Sequence, residues 1–320
     1  MAIELIGAAG MTNELKQTYD RLLLPVAETD FVYVKYGEKK PIPARGGKSV
    51  EFRRFEKVTI TGGSYTLTEG TPPSVTNATV SNVAATISQY GQYSQISDIL
   101  ELQGFDPVIA EFATLYREAM AEGLDVVVRN GLSSATTLQY AGAATVVATS
   151  GAGAVGSGNY LTVAEIREFK RTLRRNGARQ PYVLYLHPDN TKDLREDPEF
   201  ADAIVNAGAR GNDNPFFAGN IPPVEGVQVV ETNNLRIRSS YGMSGADVYE
   251  NVMFGKGFYG VTELDSMQAR LIIHPRGTGG HTDPLDQFST IGWKAALAAV
   301  ILNNNFGGII YTASSRTNAA

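Results

Sequence analysis

Between Lys48 and Ile96 the chain carries two long strand-like segments separated by a tract that cannot fill a core. "KSVEFRRFEKVTI" alternates Val50 and Phe52 with charges, and "TVSNVAATISQYGQYSQI" is rich in Val, Thr, Ile and Tyr, the signature of strands. The intervening "TGGSYTLTEGTPPSVTNA" is Gly, Pro, Ser and Thr with few large apolar groups, which reads as loop. Two strands of about a dozen residues would reach roughly 40 Å at ~3.3 Å per residue. A lone two-stranded ribbon is marginal in water. This one therefore needs a surface to lie on, either its own body or a neighbour.

The rest of the chain can supply such a surface. At 320 residues, 43% hydrophobic and 19% charged, it has a globular composition and core enough for roughly two domains of ~100–200 residues. There is no cysteine, which excludes a disulfide framework, thiolate metal sites and cysteine nucleophiles together. A net charge of −5 gives no basic footprint for tight nucleic-acid binding. The opening "MAIELIGAAGMTNELK" has no basic stretch before an apolar run, so no secretory signal is expected. The longest apolar run, Ala295–Leu302, falls far short of the ~20 residues a membrane-spanning helix needs. A soluble chain, not a membrane one, is expected.

Residues 1–35 read as an arm. In "NELKQTYDRLLL", Leu15, Tyr19 and Leu22 share one helical face and Pro25 stops it, a segment too short to bury a core alone. The strongest helix spans 107–130. Asp106 is its N-cap, Pro107 its first-turn residue, and Ile109, Phe112, Tyr116, Ala119, Met120 and Val127 recur at helical period before a Gly131 stop. At ~1.5 Å per residue it is a rod of about 36 Å. A second amphipathic helix, "TVAEIREFKRTLRRNG", opens on a capping box from Thr162 to Glu165, buries Val163, Ile166, Phe169 and Leu173, and stops at Gly177. "YVLYLHP", "VQVVET", "VYENVMFG", "MQARLIIH" and "GGIIYTAS" read as strands, with short helices in "DNTKDLRED" and "PEFADAIVN". The alternation lacks the regular rhythm of a parallel sheet, so the fold class is α+β.

No catalytic set emerges. "GAGAVGSG" at 151–158 matches the dinucleotide pattern G-x-G-x-x-G. However, "SGNYL" separates it from the helix it should open, and "RRNGAR" holds no carboxylate where the ribose partner belongs. A flexible low-complexity loop is the better reading. The three histidines, His187, His274 and His281, have neighbouring carboxylates in Asp189, Asp283 and Asp286, but no spacing brings two imidazoles onto one element, so no metal is expected. There is no G-x-S-x-G elbow. The basic face of Arg167, Lys170, Arg171, Arg174 and Arg175 is diluted by Glu165 and Glu168. It suits ion pairs within the helix or between subunits better than nucleic acid. No catalytic residue, cofactor or metal site is therefore expected.

Several stretches taken together carry a family likeness: "MTNELKQTYDRLLLPVAETDFVYVKYG", "PIPARGGKSVEFRRF", "YVLYLHPDNTKDLREDPEF", "VMFGKGFYGVTEL" and "GTGGHTDPLDQFSTIGWKAALAAVILN". In their order and spacing the chain resembles the major capsid proteins of tailed phages, in the subgroup typified by the N4-like podophages, which share the Johnson fold of phage capsids and encapsulins. The resemblance implies an N-terminal arm at 1–35 and an extended β-ribbon loop at 36–95. It implies a peripheral domain at 96–145 and 265–320 with the long helix as its spine, and an axial domain at 146–264. It implies a non-enzymatic structural protein of the virion, assembled in the host cytoplasm as pentamers and hexamers into an icosahedral shell enclosing double-stranded DNA without sequence-specific binding. Partners would be other copies, a portal protein, and scaffolding or decoration proteins. Arg53, Arg54, Tyr65 and Glu69 of the ribbon and Arg167, Arg171 and Arg174 of the basic helix would meet neighbours. Asp106, Phe112 and Trp293, the sole tryptophan, would be structural anchors, with "DPLDQFSTIGWKA" carrying the chain back to the peripheral domain. The Gly-rich stretches 61–63, 151–158 and 277–280 would be joints. Two alternatives are an encapsulin-like compartment and a soluble nucleotide-binding enzyme using "GAGAVG".

Overall fold

The computed structural model describes residues 32–40, 48–56, 58, 67, 69–71, 77–103, 108–205, 221–263, 269–275, 285 and 287–316. The expected arm helix, Asp106, Tyr65, His281 and the Gly-rich stretches 61–63 and 277–280 lie outside these residues.

The described elements are α1 (Tyr33–Tyr36), β1 (Glu38–Lys39), β2 (Ser49–Phe55), β3 (Val80–Thr86), β4 (Ser88–Ser97), α2 (Asp98–Gln103), α3 (Val108–Leu132), β5 (Leu138–Tyr140), α4 (Val163–Arg175), β6 (Arg179–Leu186), α5 (Pro188–Glu196), α6 (Pro198–Val205), β7 (Val227–Glu231), β8 (Ile237–Arg238), β9 (Val248–Lys256), β10 (Tyr259–Glu263), β11 (Arg270–His274), β12 (Phe288–Ile301) and β13 (Gly307–Thr312). The architecture is mixed α+β.

One sheet is built around β12. β4 pairs antiparallel with it from Phe288 to Leu297, while β11 and then β10 follow one another along the opposite edge, and β1 adds in parallel to β10. The other sheet runs β5-β13-β9-β6-β7, with β8 also on β9. Helix α3 lies on the first sheet through its apolar stripe of Phe112, Tyr116, Met120, Leu124 and Val128. Helix α4 lies on the second, seating Ile166, Phe169 and Leu173 against Leu184, Leu186, Met253 and Ile310. The opposite face of that sheet, with Val183, Tyr185, Val252 and Phe254, joins the α3 cluster, so one hydrophobic core spans both sheets. β5 and β13 pair into the second sheet and β10 into the first.

Several expectations change in detail. The second ribbon segment is two strands, not one. β3 pairs with β2, but at the buried Ile87 the chain turns into β4, which belongs to the β12 sheet. The root of the ribbon folds back on its own body, where Val50, Phe52, Ala85 and Ile87 meet Ala296, Ala298 and Val300. Gly131 does not stop α3, which continues to Leu132. It lies beside β12, where an added Cβ would stand 3.4 Å from that of Ala299, in ordinary contact. The Gly-rich 151–158 stretch is not a loose loop. Val155 is fully buried, its N–H donates to Val146 O at 3.0 Å, and its carbonyl accepts from Met243 N–H at 2.7 Å. β12, the longest strand, was not read as a strand because its "KAALAAV" run lacks the β-branched richness that marks one.

Candidate functional site

The outward face of α4 gathers five basic side chains. Thr162 caps the helix, its hydroxyl accepting from Glu165 N–H at 3.3 Å. The reciprocal half of the capping box is absent, because the Glu165 carboxylate turns to Gly142 N–H at 2.9 Å and to the Gln139 amide. Gly177, at φ 83°, ends the helix in the left-handed conformation. With Ile166, Phe169 and Leu173 turned inward, Arg167, Lys170, Arg171, Arg174 and Arg175 line a groove of about 600 Å³ with Glu225. A turn with two left-handed residues, Glu225 at φ 53° and Gly226 at φ 73°, brings that carboxylate to the helix.

Much of this charge is used within the chain. Arg167 binds Glu199 and, at 3.0 Å, Glu225, which together hold its pKa above the usual arginine value. Lys170 donates to the Glu225 carbonyl, and Arg171 binds Glu168 one turn back. Arg174 is exposed and its side chain makes no ion pair among the described residues. The arrangement can attract an anionic surface.

The ribbon arginines divide in the same way. Arg53 points outward on β2. Arg54 points inward, donating to Leu302 O at 3.3 Å and through Nε to Glu56 at 3.0 Å. The Ser81 hydroxyl and then Arg54 hold the Glu56 carboxyl below its ordinary pKa. Glu69 sits exposed in a turn. Phe112 is half-buried on the α3 stripe. Trp293 faces α3 with its indole beside Gly123, where an added Cβ would stand 3.5 Å away, in ordinary contact.

Among the described residues the other face of β12 is open along its first half, with Thr290 and Lys294 half-buried. There Thr290, Gly292 and Lys294 stand beside Gly91 and Tyr93 of β4 and Ile272 and His274 of β11, lining a cavity of about 420 Å³. Its floor must be glycine, since a Cβ at Gly292 would lie 2.5 Å from Gln92 O. Tyr93 is 69% exposed above it. This face was missed from sequence because β12 itself was.

The histidine and carboxylate of "HPDN" serve structure. His187 caps α5, its Nδ1 accepting from Asp189 N–H at 3.2 Å, and burial lowers its pKa. The Asp189 carboxylate accepts from Tyr249 Oη at 2.7 Å and Arg316 at 3.3 Å; burial pulls its pKa up, but these donors and His187 outweigh it and hold it low. Asp193 accepts the Ser315 N–H at 3.0 Å. Both carboxylates thus fasten the C-terminal segment. The Gly-rich stretch opens no helix: α4 begins at Val163. Among the described residues no cluster of His, Asp or Glu is arranged to hold a metal ion, and no helix is long and apolar enough to cross a membrane.

Comparisons with known proteins bear on these surfaces. The family model described as phage capsid protein matches residues 81–312. No curated protein matches the chain by sequence. Among solved structures, the chain is similar to the capsid of cyanophage P-SCSP1u (16% identity, 97% of each chain covered, TM-score 0.72). It is similar also to that of cyanophage Pam1 (12% identity, 99% of this chain and 100% of that one, TM-score 0.73). A third is the capsid of Ralstonia phage GP4 (14% identity, 99% and 100%, TM-score 0.71). At these identities the likeness is one of fold, and it runs end to end. An encapsulin-like compartment is not favoured.

Proposed function

The chain belongs to the phage capsid protein family, and on that premise we propose that it is the major capsid protein of a tailed phage of the N4-like podophage subgroup. Copies close as pentamers and hexamers into an icosahedral shell around double-stranded DNA. The observation that carries this reading is the match of fold over 97% of both this chain and the cyanophage P-SCSP1u capsid. The subgroup rests on the five sequence stretches quoted above.

In this reading residues 1–35 are an arm and 36–95 an extended loop, each reaching neighbours. Residues 96–145 and 265–320 form a peripheral domain and 146–264 an axial domain. Arg53, Glu69 and Arg174, whose side chains point outward or are exposed, are the favoured contacts with other copies, together with Tyr65. Arg54, Arg167 and Arg171 act at one remove, by fixing the ribbon root and the α4 face. Trp293 anchors β12 to the spine helix α3, Phe112 packs from that helix into the same core, and Asp106 is the cap expected from the sequence. Assembly follows from burial of apolar area at ~25 cal/mol per Å², spread over several neighbours so that modest pairwise affinities multiply. The net charge of −5 suits a wall that encloses DNA without holding it. Further partners are a portal protein and scaffolding or decoration proteins, and the place of assembly is the host cytoplasm. As a structural protein it has no catalytic role.

Negative-stain electron microscopy of the purified full chain tests this. Closed particles, tubes or rings of capsomers are expected, and nuclease-protected DNA in virions built from it. A compact dimer or tetramer of fixed size would overturn the reading. Deleting the stretch from Gly62 to Pro73 should leave a folded chain that builds no shells, and intact shells from that deletion would overturn the role given to the ribbon.

A further inference from the structure

Two segments expected to reach away from the body, the arm and the ribbon, enter it side by side. Residues 32–40, the end of the arm and the lead from it into the ribbon loop, come first and are here taken together as the arm root. The Tyr33 and Val34 N–H groups donate to Asp125 Oδ1 at 2.8 and 3.3 Å, and Tyr33 O accepts from Tyr259 Oη at 2.6 Å, which lies 3.1 Å from Tyr185 Oη. Gly37 then passes close over β10, where a Cβ would lie 2.5 Å from Val261 Cγ2 and 2.7 Å from the Tyr259 ring. Beyond it β1 pairs with β10, Glu38 beside Gly260 and Lys39 beside Val261, and Lys40 N–H donates to Val261 O at 3.2 Å.

The ribbon root uses the same strand from its other face. Successive residues of a strand point to opposite sides, so with Tyr259 and Val261 turned into the core, Gly260 faces away from it. The Phe52 ring of β2 sits there, so close that a Cβ on Gly260 would lie 2.8 Å from it. One side chain touches both roots. The Lys40 ammonium, whose backbone is tied to β10, donates to Glu51 O at 2.8 Å and lies 5.2 Å from the centroid of the Phe52 ring.

We infer that β10 is a common mount for the arm root and the ribbon root, with Lys40 coupling them, so that loosening either root loosens the other. Neither root is sturdy alone: β1 is two residues long, and a two-stranded ribbon is marginal by itself. Coupled local opening is what hydrogen exchange reads. The inference concerns contacts within one chain, so it stands or falls separately from the shell reading.

Amide hydrogen exchange of the full chain in solution, before assembly, tests it. Phe52→Ala should speed exchange in β2 and β3 and, by about five-fold, at Glu38–Lys40, the scale of losing one cation–π contact and hydrogen bond. In a Lys40→Met background the ribbon effect should remain and the effect at Glu38–Lys40 should vanish. Asp125→Ala read at β2 and β3 gives the converse. Exchange in β6 should not change, and if it does, Phe52→Leu replaces Phe52→Ala as the milder perturbation. Unchanged exchange at Glu38–Lys40 after the Phe52 substitution would overturn the inference, as would an effect there that persists in Lys40→Met.

Discussion

Strands β9 and β12 each run through the middle of a sheet, yet they meet different surroundings. β9 is buried at eight successive positions, Val248 to Gly255, with the α4 layer on one side and the α3 cluster on the other. β12 is covered by α3 on one face. On the other, among the described residues, the ribbon root covers Ala296 and Ala298, while Thr290 and Lys294 stay half-buried beside an open groove. The β9 sheet is thus completed by the chain that makes it. Among the described residues one sheet is covered on both faces and the other keeps an open stretch.

The largest test of this difference is a truncation in the finished half. Phe169 is 1% exposed at the centre of the α4 layer, so Phe169→Ala should lower the stability of the single chain by about 3–5 kcal/mol in urea melts. A loss under about 1.5 kcal/mol, the scale of a volume-conserving swap, would mean that the α4 layer is not the sealed core described.

The core shared by the sheets holds a carboxyl, and pH should reveal it. Burial raises the pKa of Asp125, against the opposing pull of the Tyr33 and Val34 amides and of Arg129. A carboxyl with a higher pKa folded than unfolded takes up a proton on folding in the window between the two values. Stability should therefore fall as pH rises from the ordinary aspartate value of 3.8 through the raised one, by at most about 1.4 kcal/mol per pH unit, and level off above it. Asp125→Asn should remove that slope. Equal slopes in both proteins would place the titration elsewhere.

Where local chemistry decided the outcome, the sequence was readable. The apolar period of Ile109, Phe112, Tyr116 and Met120 marked α3, and Thr162 and Gly177 bracketed α4. What escaped depends on long-range pairing. β12 is alanine-rich because α3 and the ribbon root press on it from both sides, and alanine carries no strand signal. Asp125 reads as one more exposed polar residue of a helix, and only the return of residue 33, 92 positions away, makes it a cap. Likewise nothing local says that Arg54 turns inward to Leu302 while Arg53 turns out; that depends on which face of the ribbon lies down. Trp293 was expected as an anchor, yet nothing local to the helix says that its indole lies beside Gly123.

That contact offers a smaller test. The Trp293 Nε1 is buried with no partner among the described residues, so Trp293→Phe loses contact area and relieves an unpaired donor at once. A net change below about 1 kcal/mol is expected in urea melts. A loss of several kcal/mol would mean that the indole N–H is satisfied after all and that α3 and β12 are held by more than packing.

The smallest expected effect belongs to the open face. Tyr93 stands paired to Gly292 in register, so no cross-strand side chain meets it there, and it is 69% exposed. Threonine keeps the strand preference of the position while removing the ring. Tyr93→Thr should then shift the stability of the single chain by no more than about 0.5 kcal/mol, the ordinary range for exposed sites. The measurement must use dissociated chain, because in an assembly the same substitution would report on whatever lies over the groove. If the single chain instead loses 2 kcal/mol or more, about the burial value of a large side chain, then the ring is already packed before assembly. The two sheets would in that case be equally complete, and the contrast between β9 and β12 would be lost.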